Sequence, residues 1–460
     1  MESHLQQHNK ILFALCLPMF IACIDIMALS LALKIILDQF HTTVAEAQWL
    51  FTAYMIGTAA FLIPIGKLAD SYGRVKILNY GIWIFAVASI IAGFAMNMPM
   101  LILGRFMQGL AGAIMMTASL SIITHNYPRE HRGHAIAIWG MAMGLGLALG
   151  PLLGGAILNF GLSWRFIFLI NLPVCLIVSY LVMRYVPDSK ASKIEIISWL
   201  EVIVLIAILF LIVLILADGS SFGWLSNMML LSYVALIVFA SVLMYLLRNS
   251  KNPIIDVSLF KVKHFTPAVM CGSISYFCSY AWLFIFSLYL QKNLNFTALH
   301  SGLLIAAYSF SFAVNAMLTS MLMRRYGNKS VMQLGFVIMV ASLVGMLFID
   351  RYPSNILITV LFALFAMGVT YVNAPSITAT AANVPTEKSG LVSGLMFTIR
   401  WVGGLIGVAL ITEVYNYVST NSHAILPATC MVMASFAFLG WIVTTFFLQH
   451  DAAYAANKIN

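Results

Sequence analysis

Charge is scarce in this chain: of its 460 residues only 8% are Asp, Glu, Lys or Arg, where soluble domains carry about 25%. A water-soluble fold of this length would lack the polar side chains to cover its own surface, and a large soluble domain has nowhere to fit. Cysteine is also sparse. Cys16, Cys23, Cys175, Cys271, Cys278 and Cys430 stand singly inside apolar segments, with no spacing that resembles a disulfide framework or a metal site. No Walker-type phosphate loop occurs among the 30 glycines, so ATP is not the expected energy source. No His/Cys/Asp cluster has metal-ligand spacing and no nucleophile motif is recognisable, so neither a metal, a cofactor nor an enzymatic activity is expected. His125, His131 and His134 flank one loop and are read as solvated. The net charge of +9 would point to nucleic acid in a soluble protein. In a chain that is 62% hydrophobic it reads instead as the Lys and Arg of cytoplasmic loops, and no nucleic-acid partner is expected.

What the chain has in abundance is long apolar runs. They fall at about 11–37, 47–66, 77–96, 99–123, 134–158, 166–186, 195–217, 225–247, 266–290, 300–322, 331–349, 354–376, 388–414 and 424–448. Each is close to the roughly 20 residues that cross a bilayer core, which predicts an all-α integral membrane protein with fourteen spans. The first run is too long for a signal peptide and lacks a small-residue cleavage site, so it is read as a retained helix. With a cytoplasmic N-terminus, the inner loops hold Lys67, Arg74, Lys76, Arg129, Arg132, Arg184, Lys190, Lys193, Arg248, Lys251, Lys261, Lys263, Arg324, Arg325, Lys329 and Lys388. The outer loops and their edges hold Lys34, Arg165, Lys292 and Arg351. That asymmetry places both termini in the cytoplasm.

The chain also repeats itself. The Pro-x-Glu-basic-x-Gly pattern of Pro128–Gly133 returns at Pro385–Gly390, Tyr72-Gly73 returns as Tyr326-Gly327, and the starts of spans 1 and 9 correspond. One period therefore covers six spans plus two extra. The expected division is a six-helix bundle at 1–190, two inserted transmembrane helices at 191–262 and a second six-helix bundle at 263–460. Parallel halves of this kind place a substrate site near the midplane between them.

Several segments carry chemistry. After span 2 comes Gly66-Lys67-Leu68-Ala69-Asp70-Ser71-Tyr72-Gly73-Arg74, which resembles the signature loop of the major facilitator superfamily. By that resemblance Asp70 faces the N-terminus of span 13, where a helix dipole favours negative charge. Arg74 and Gly73 would complete a conformational latch. The second-half counterpart, Arg324-Arg325-Tyr326-Gly327, has lost the acid, so a latch there is expected to be weaker. In span 4, Gly104-Arg105-Phe106-Met107-Gln108-Gly109 resembles the family motif whose arginine is implicated in proton transfer. A buried arginine is costly and normally faces a cavity or a partner; the plainer alternative is snorkelling to the interface. Asp25 in span 1 resembles the acid of the fourteen-helix drug:proton antiporters. Isolated it would be protonated by burial; beside Arg105 it could toggle, and the plainer alternative is a permanently neutral acid. Where that branch usually has proline, this chain has Lys34 near the outer mouth, which either attracts anionic cargo or snorkels.

Span 5 ends Gly146-Leu147-Ala148-Leu149-Gly150-Pro151-Leu152-Leu153-Gly154-Gly155. Small residues at this spacing let helix backbones approach closely and Pro151 permits a bend. The ending also resembles the superfamily's antiporter motif, which implies export. Trp164-Arg165 through Pro173 resembles a segment of the fourteen-helix branch and also suits an interfacial anchor. Arg400 in span 13 lies too deep for lipid exposure and is expected to face a central cavity or an acid. Asn315 and Asn373 are cavity candidates because a buried amide needs partners, and Tyr54 is a candidate among the aromatics. Glu201 is read as interfacial.

The resemblance implies a major facilitator fold: two six-helix bundles plus two inserted central helices. It implies a proton-coupled multidrug exporter of the inner (plasma) membrane, with Asp25 and Arg105 coupling to the proton gradient and a small-molecule substrate carried by alternating access. A dedicated exporter of an anionic metabolite or siderophore is the alternative, and a non-transporting sensor a more remote one. The lipid bilayer is the expected surrounding, and the sequence leaves open both whether the chain is a monomer and whether it has a periplasmic adaptor.

Overall fold

The computed structural model describes residues 2–127, 129–187, 197–250, 253–262, 264–381, 389–421 and 424–448. Among them thirteen helical spans are long and apolar enough to cross a membrane. The helices are α1 (Glu2–Phe40), α2 (Val44–Tyr72), α3 (Arg74–Gly93), α4 (Met98–Asn126), α5 (Arg129–Asn159), α6 (Arg165–Leu169), α7 (Asn171–Tyr185), α8 (Trp199–Phe222), α9 (Asn227–Asn249), α10 (Phe265–Lys292), α11 (Ala298–Met346), α12 (Asn355–Ala381), α13 (Ser389–Asn421) and α14 (Ile425–Phe447).

Two departures from the expected spans have local causes. The sixth span is split into α6 and α7, next to Pro173, which has no N–H to carry the helical ladder through. Spans 10 and 11 are joined as the 49-residue α11, which bends at Gly327 with φ 79° and ψ 162°. At about 1.5 Å rise per residue that helix is twice the length a bilayer needs, so its two arms count as two crossings. Gly73, between α2 and α3, likewise has φ 105°. A side chain at either position would meet the steric penalty that glycine escapes, so the Tyr-Gly repeat marks the same backbone reversal in both halves. We call this end of the bundle the signature end and the opposite end the distal end. Distal helix starts are capped by side chains: Thr43 with Glu46 forms a capping box on α2, and Asn97, Ser226 and Thr297 cap α4, α9 and α11.

In lipid the hydrophobic effect does not draw helices together, and close packing through small residues takes its place. A β-carbon on Gly146, Gly150 or Gly154 of α5 would sit 2.5–2.7 Å from Phe20 O, Met27 Cβ and Ala28 O of α1. The same contact recurs 257 residues later, where Gly403 and Gly407 of α13 would meet Ser273 O and Phe277 O of α10 at 2.3 and 2.4 Å. The internal repeat is therefore a repeat of helix crossings, α5 on α1 and α13 on α10. Within the first half α2 packs on α4, and α3 on α4 and α7; within the second α11 packs on α12 and α14, and α10 on α14. The halves meet along α5–α11 and α2–α13, and α8 lies against both α2 and α13. α9 packs chiefly on α8 and presents most of its surface outward, with Tyr245, Val234 and Ile237 exposed. The expected boundary at 190/191 lies outside the described residues, as does Lys263 at the second.

Glu201 stands in the first turn of α8. It is 1% exposed, and its Oε2 accepts the Ile254 N–H at 2.7 Å, tying α8 to the segment that follows α9. The six cysteines are all buried and free.

Candidate functional site

The crossing of α2 and α4 explains how an arginine reaches into the first half. A β-carbon on Gly109 would lie 2.0 Å from Tyr54 O, and one on Gly57 2.4 Å from Phe106 O. Only glycine at these points lets the two backbones come this close. One turn from Gly109, Arg105 therefore spans the gap to α2 and α1. Its Nε donates to Leu50 O at 3.0 Å, its Nη1 donates to Gln108 Oε1 at 2.6 Å, and Nη1 also forms a short ion pair with Asp25 Oδ2. Both side chains of the pair are fully buried. The guanidinium lies 4.7 Å from the Tyr54 ring centroid, where the ring's negative face attracts a cation.

Asp25 is surrounded by donors. Oδ1 accepts Asn171 Nδ2 at 2.8 Å and Gln108 Nε2 at 3.1 Å, and both amides also reach Ser89 Oγ. This set complements an ionised carboxylate, which only accepts. A protonated Asp25 would have to aim its O–H at an acceptor, yet Gln108 Oε1 is already engaged by Arg105. Gaining a proton would turn one acceptor position of this carboxylate into a donor. Gln108, Asn171 and Ser89 had not stood out as site residues in the sequence. The available signal was the amide and hydroxyl groups inside apolar runs, which must find partners when buried.

A second buried arginine sits in the other half. Arg400 of α13 is 1% exposed; its Nη2 donates to Asn373 O at 3.2 Å and to Ser376 Oγ. Its guanidinium lies 5.7 Å from the Tyr276 centroid and 5.8 Å from that of Phe397, against Gly272, whose β-carbon would fall 2.6 Å from Arg400 Nε. Trp401 stands between the arginines. Its ring is 6.0 Å from Tyr54, 6.1 Å from Tyr276 and 5.3 Å from Tyr280. An unbroken series of ring contacts thus runs from Arg105 through Tyr54, Trp401 and Tyr276 to Arg400, crossing from one half to the other.

Where the first half holds Arg105 and Gln108, the second has Phe362 and Phe365 at the positions 257 residues on. These two rings pack around Trp282 at 4.6 and 5.5 Å, and Tyr308 stacks on it at 4.6 Å. The pseudo-equivalent of the charged site is filled with aromatics, so the ion-pair chemistry belongs to one half.

The other sequence candidates are placed as follows. Asn373 and Tyr54 lie in the Arg400–Trp401 group. Asn315 is held within the second half, donating to Ser311 O at 2.9 Å and accepting from Tyr371 Oη at 3.2 Å. Lys34 is remote from that group, its Nζ donating to Gln291 O at 3.2 Å in the last turn of α10. Gly146, Gly150 and Gly154 face α1, whereas Gly155 faces α11, its β-carbon position 3.0 Å from Ala298 O. Pro151 lies inside α5, and its carbonyl abuts Gly302 of α11. Of the latch group, Gly73 precedes α3 and Arg74 begins it, while the side chains of Asp70 and of residues 389–391 at the start of α13 lie outside the described part.

Comparison with known proteins agrees with this architecture. The family model described as Major Facilitator Superfamily matches residues 15–408. The chain belongs to the Major Facilitator Superfamily. It is 27% identical over 458 residues to the riboflavin transporter RibZ of Clostridioides difficile (strain 630), covering 97% of this chain and 98% of that protein. It is 28% identical over 421 residues to the quinolone resistance protein NorB of Staphylococcus aureus (strain MRSA252), covering 90% of each. The multidrug resistance protein Stp of Mycobacterium tuberculosis (strain CDC 1551 / Oshkosh) is 29% identical over 88% of this chain and 75% of its own length. Among solved structures a D-xylose–proton symporter superposes with a TM-score of 0.69 at 13% identity, over 96% of this chain and 98% of that one. The all-helical Major Facilitator fold is thus the fold of this chain, and the protein is a multi-pass membrane transporter rather than an enzyme.

Proposed function

We propose that this transporter is a proton-coupled exporter of amphipathic organic compounds, set in the cell's inner membrane with both termini cytoplasmic and working by alternating access. The observation that carries the reading is the fully buried Asp25–Arg105 pair with its amide partners. Protonation removes the negative charge, leaving Arg105 a buried cation with only neutral partners. Uncoupling one member of such a pair costs about 3–5 kcal/mol, enough to bias a packed crossing toward another arrangement. The series of rings between Arg105 and Arg400 gives that bias a route to the seam between the halves. The α5 glycines let α5 lie between α1 and α11, so a tilt of α1 is felt by the opposite half; the antiporter-like ending of α5 supports export. Resistance proteins for quinolones and other drugs among the relatives support an amphipathic cargo. Asp70, Gly73 and Arg74 are assigned the latch at the cytoplasmic turn.

A dedicated exporter of an anionic metabolite is the second reading, favoured by Arg400, which no described carboxylate neutralises. The two are separated in proteoliposomes with an imposed pH gradient. Gradient-driven uptake of lipophilic drugs, abolished by a protonophore and by Asp25→Asn, supports the first. Indifference of drug transport to the protonophore contradicts it, and transport restricted to anions favours the second.

A further inference from the structure

The two buried arginines are not equivalent. Arg105 has its counter-charge built in at Asp25. Arg400 has none among the described residues; it is held by a backbone carbonyl, a serine hydroxyl and ring faces, and its Nε has no hydrogen-bond partner. Two more unsatisfied buried atoms belong to the same group, Trp401 Nε1 and Asn373 Oδ1. A desolvated polar atom without a partner is costly, and more so when it belongs to a charged group. The wall beside Arg400 is aromatic, formed by Tyr276, Tyr280 and Trp401, and the two tyrosines, Phe397 and Asn373 keep part of their surface exposed. Flat rings can stack there, and guanidinium N–H groups can donate to an anion's oxygens.

We propose that Arg400, Trp401, Asn373, Tyr276 and Tyr280 form the cargo subsite for a planar aromatic compound bearing a carboxylate, with Arg400 supplying the positive charge. The inference rests on the exporter reading for the identity of the site, but not on its proton coupling. Binding to Arg400 is monodentate or bidentate through guanidinium N–H groups, the ring lies on the tyrosine–tryptophan wall, and no covalent step occurs. The aromatic face selects flat cargo and the missing counter-ion selects its charge.

The test uses the full chain in lipid nanodiscs at pH 7.5, with equilibrium binding of radiolabelled probes corrected against empty nanodiscs. The probes are 2-naphthoate, its neutral isostere 2-naphthamide, and cyclohexanecarboxylate, an anion without an aromatic face. The wild type is expected to bind naphthoate at least tenfold more tightly than either of the others. Arg400→Gln should bring naphthoate down to the affinity of naphthamide, while Arg400→Lys should keep a preference for the anion. Trp401→Leu should weaken both naphthyl probes and leave cyclohexanecarboxylate unchanged. Equal wild-type affinities for naphthoate and naphthamide, or no measurable naphthoate binding, overturn the proposal without recourse to any variant. A preference that survives in folded Arg400→Gln overturns it as well. Asp25→Asn separates the two claims: the subsite predicts that the naphthoate preference persists there, whether or not gradient-driven transport is lost.

Discussion

Gly150→Ala should destabilise the transporter and impair its function together. The new β-carbon would lie 2.5 Å from Met27 Cβ and 2.9 Å from Ile24 O, where carbon atoms prefer about 3.5–4.0 Å. Neither obstacle is the free end of a flexible side chain, so α1 and α5 must part by roughly 1 Å. Overpacking of this kind costs about 1–3 kcal/mol, against roughly 0.5–1 kcal/mol gained by replacing a helical glycine with alanine. The expected net loss is on the order of 1–2 kcal/mol. Ile24 and Met27 bracket Asp25, so the same displacement shifts the carboxylate against Arg105, and gradient-driven transport should fall several-fold. Gly140→Ala is the control in the same helix, because nothing lies within 4 Å of its β-carbon position; Gly407→Ala is the matching lesion in the other half. Thermal unfolding in detergent can be followed by a thiol-reactive dye, since all six cysteines are buried in the folded chain. If Gly150→Ala melts no lower than Gly140→Ala, the close α1–α5 crossing is refuted.

Arg105→Lys keeps the charge but loses the planar fork that serves Leu50 O, Gln108 and Asp25 at once; gradient-driven transport is expected to drop at least tenfold, measured in proteoliposomes against unchanged protein yield. Gly73→Ala and Gly327→Ala place a side chain at φ 105° and 79°, and each should cost more than the roughly 0.4–1 kcal/mol that such a change gains at permissive sites, read as a lowered melting temperature. Glu201→Gln weakens the acceptor of the Ile254 N–H and should cost about 1 kcal/mol of stability with turnover intact, a combination that a coupling role for Glu201 would not give. Lys34→Ala removes one hydrogen bond between α1 and α10; wild-type cargo affinity is expected, and a large loss would place Lys34 in the cargo path instead.

Much of the fold was legible in the sequence because bilayer thickness sets helix length, and the apolar runs report it directly. The Tyr-Gly pairs at 72–73 and 326–327 marked two reversals that share a positive-φ glycine. What the sequence left hidden depends on three-dimensional register. The depth of Asp25 and Arg105 in their spans made them neighbours in prospect, but which side chains would satisfy the remaining lone pairs could not be read. Asn171 lies 146 residues from Asp25 and meets it only because α7 packs on α1. Among the described residues Glu201 carries no partner in its own span, and only the fold of the segment after α9 supplies the N–H it accepts. Lys34 was open between cargo attraction and snorkelling; its bond to the end of α10 is an interaction between the halves that no local pattern announces. The asymmetry between Asp25–Arg105 and the Trp282 cluster became visible only when the repeated crossings fixed which positions correspond.

Proton movement driven by cargo tests coupling through Asp25 most directly. In inverted vesicles holding a preformed pH gradient, addition of an amphipathic cargo should collapse the gradient for the wild type and leave it standing for Asp25→Asn, with both proteins folded and equally abundant. Cargo-dependent collapse of equal size in Asp25→Asn would show that protons pass by another route and would contradict a coupling role for the Asp25–Arg105 pair.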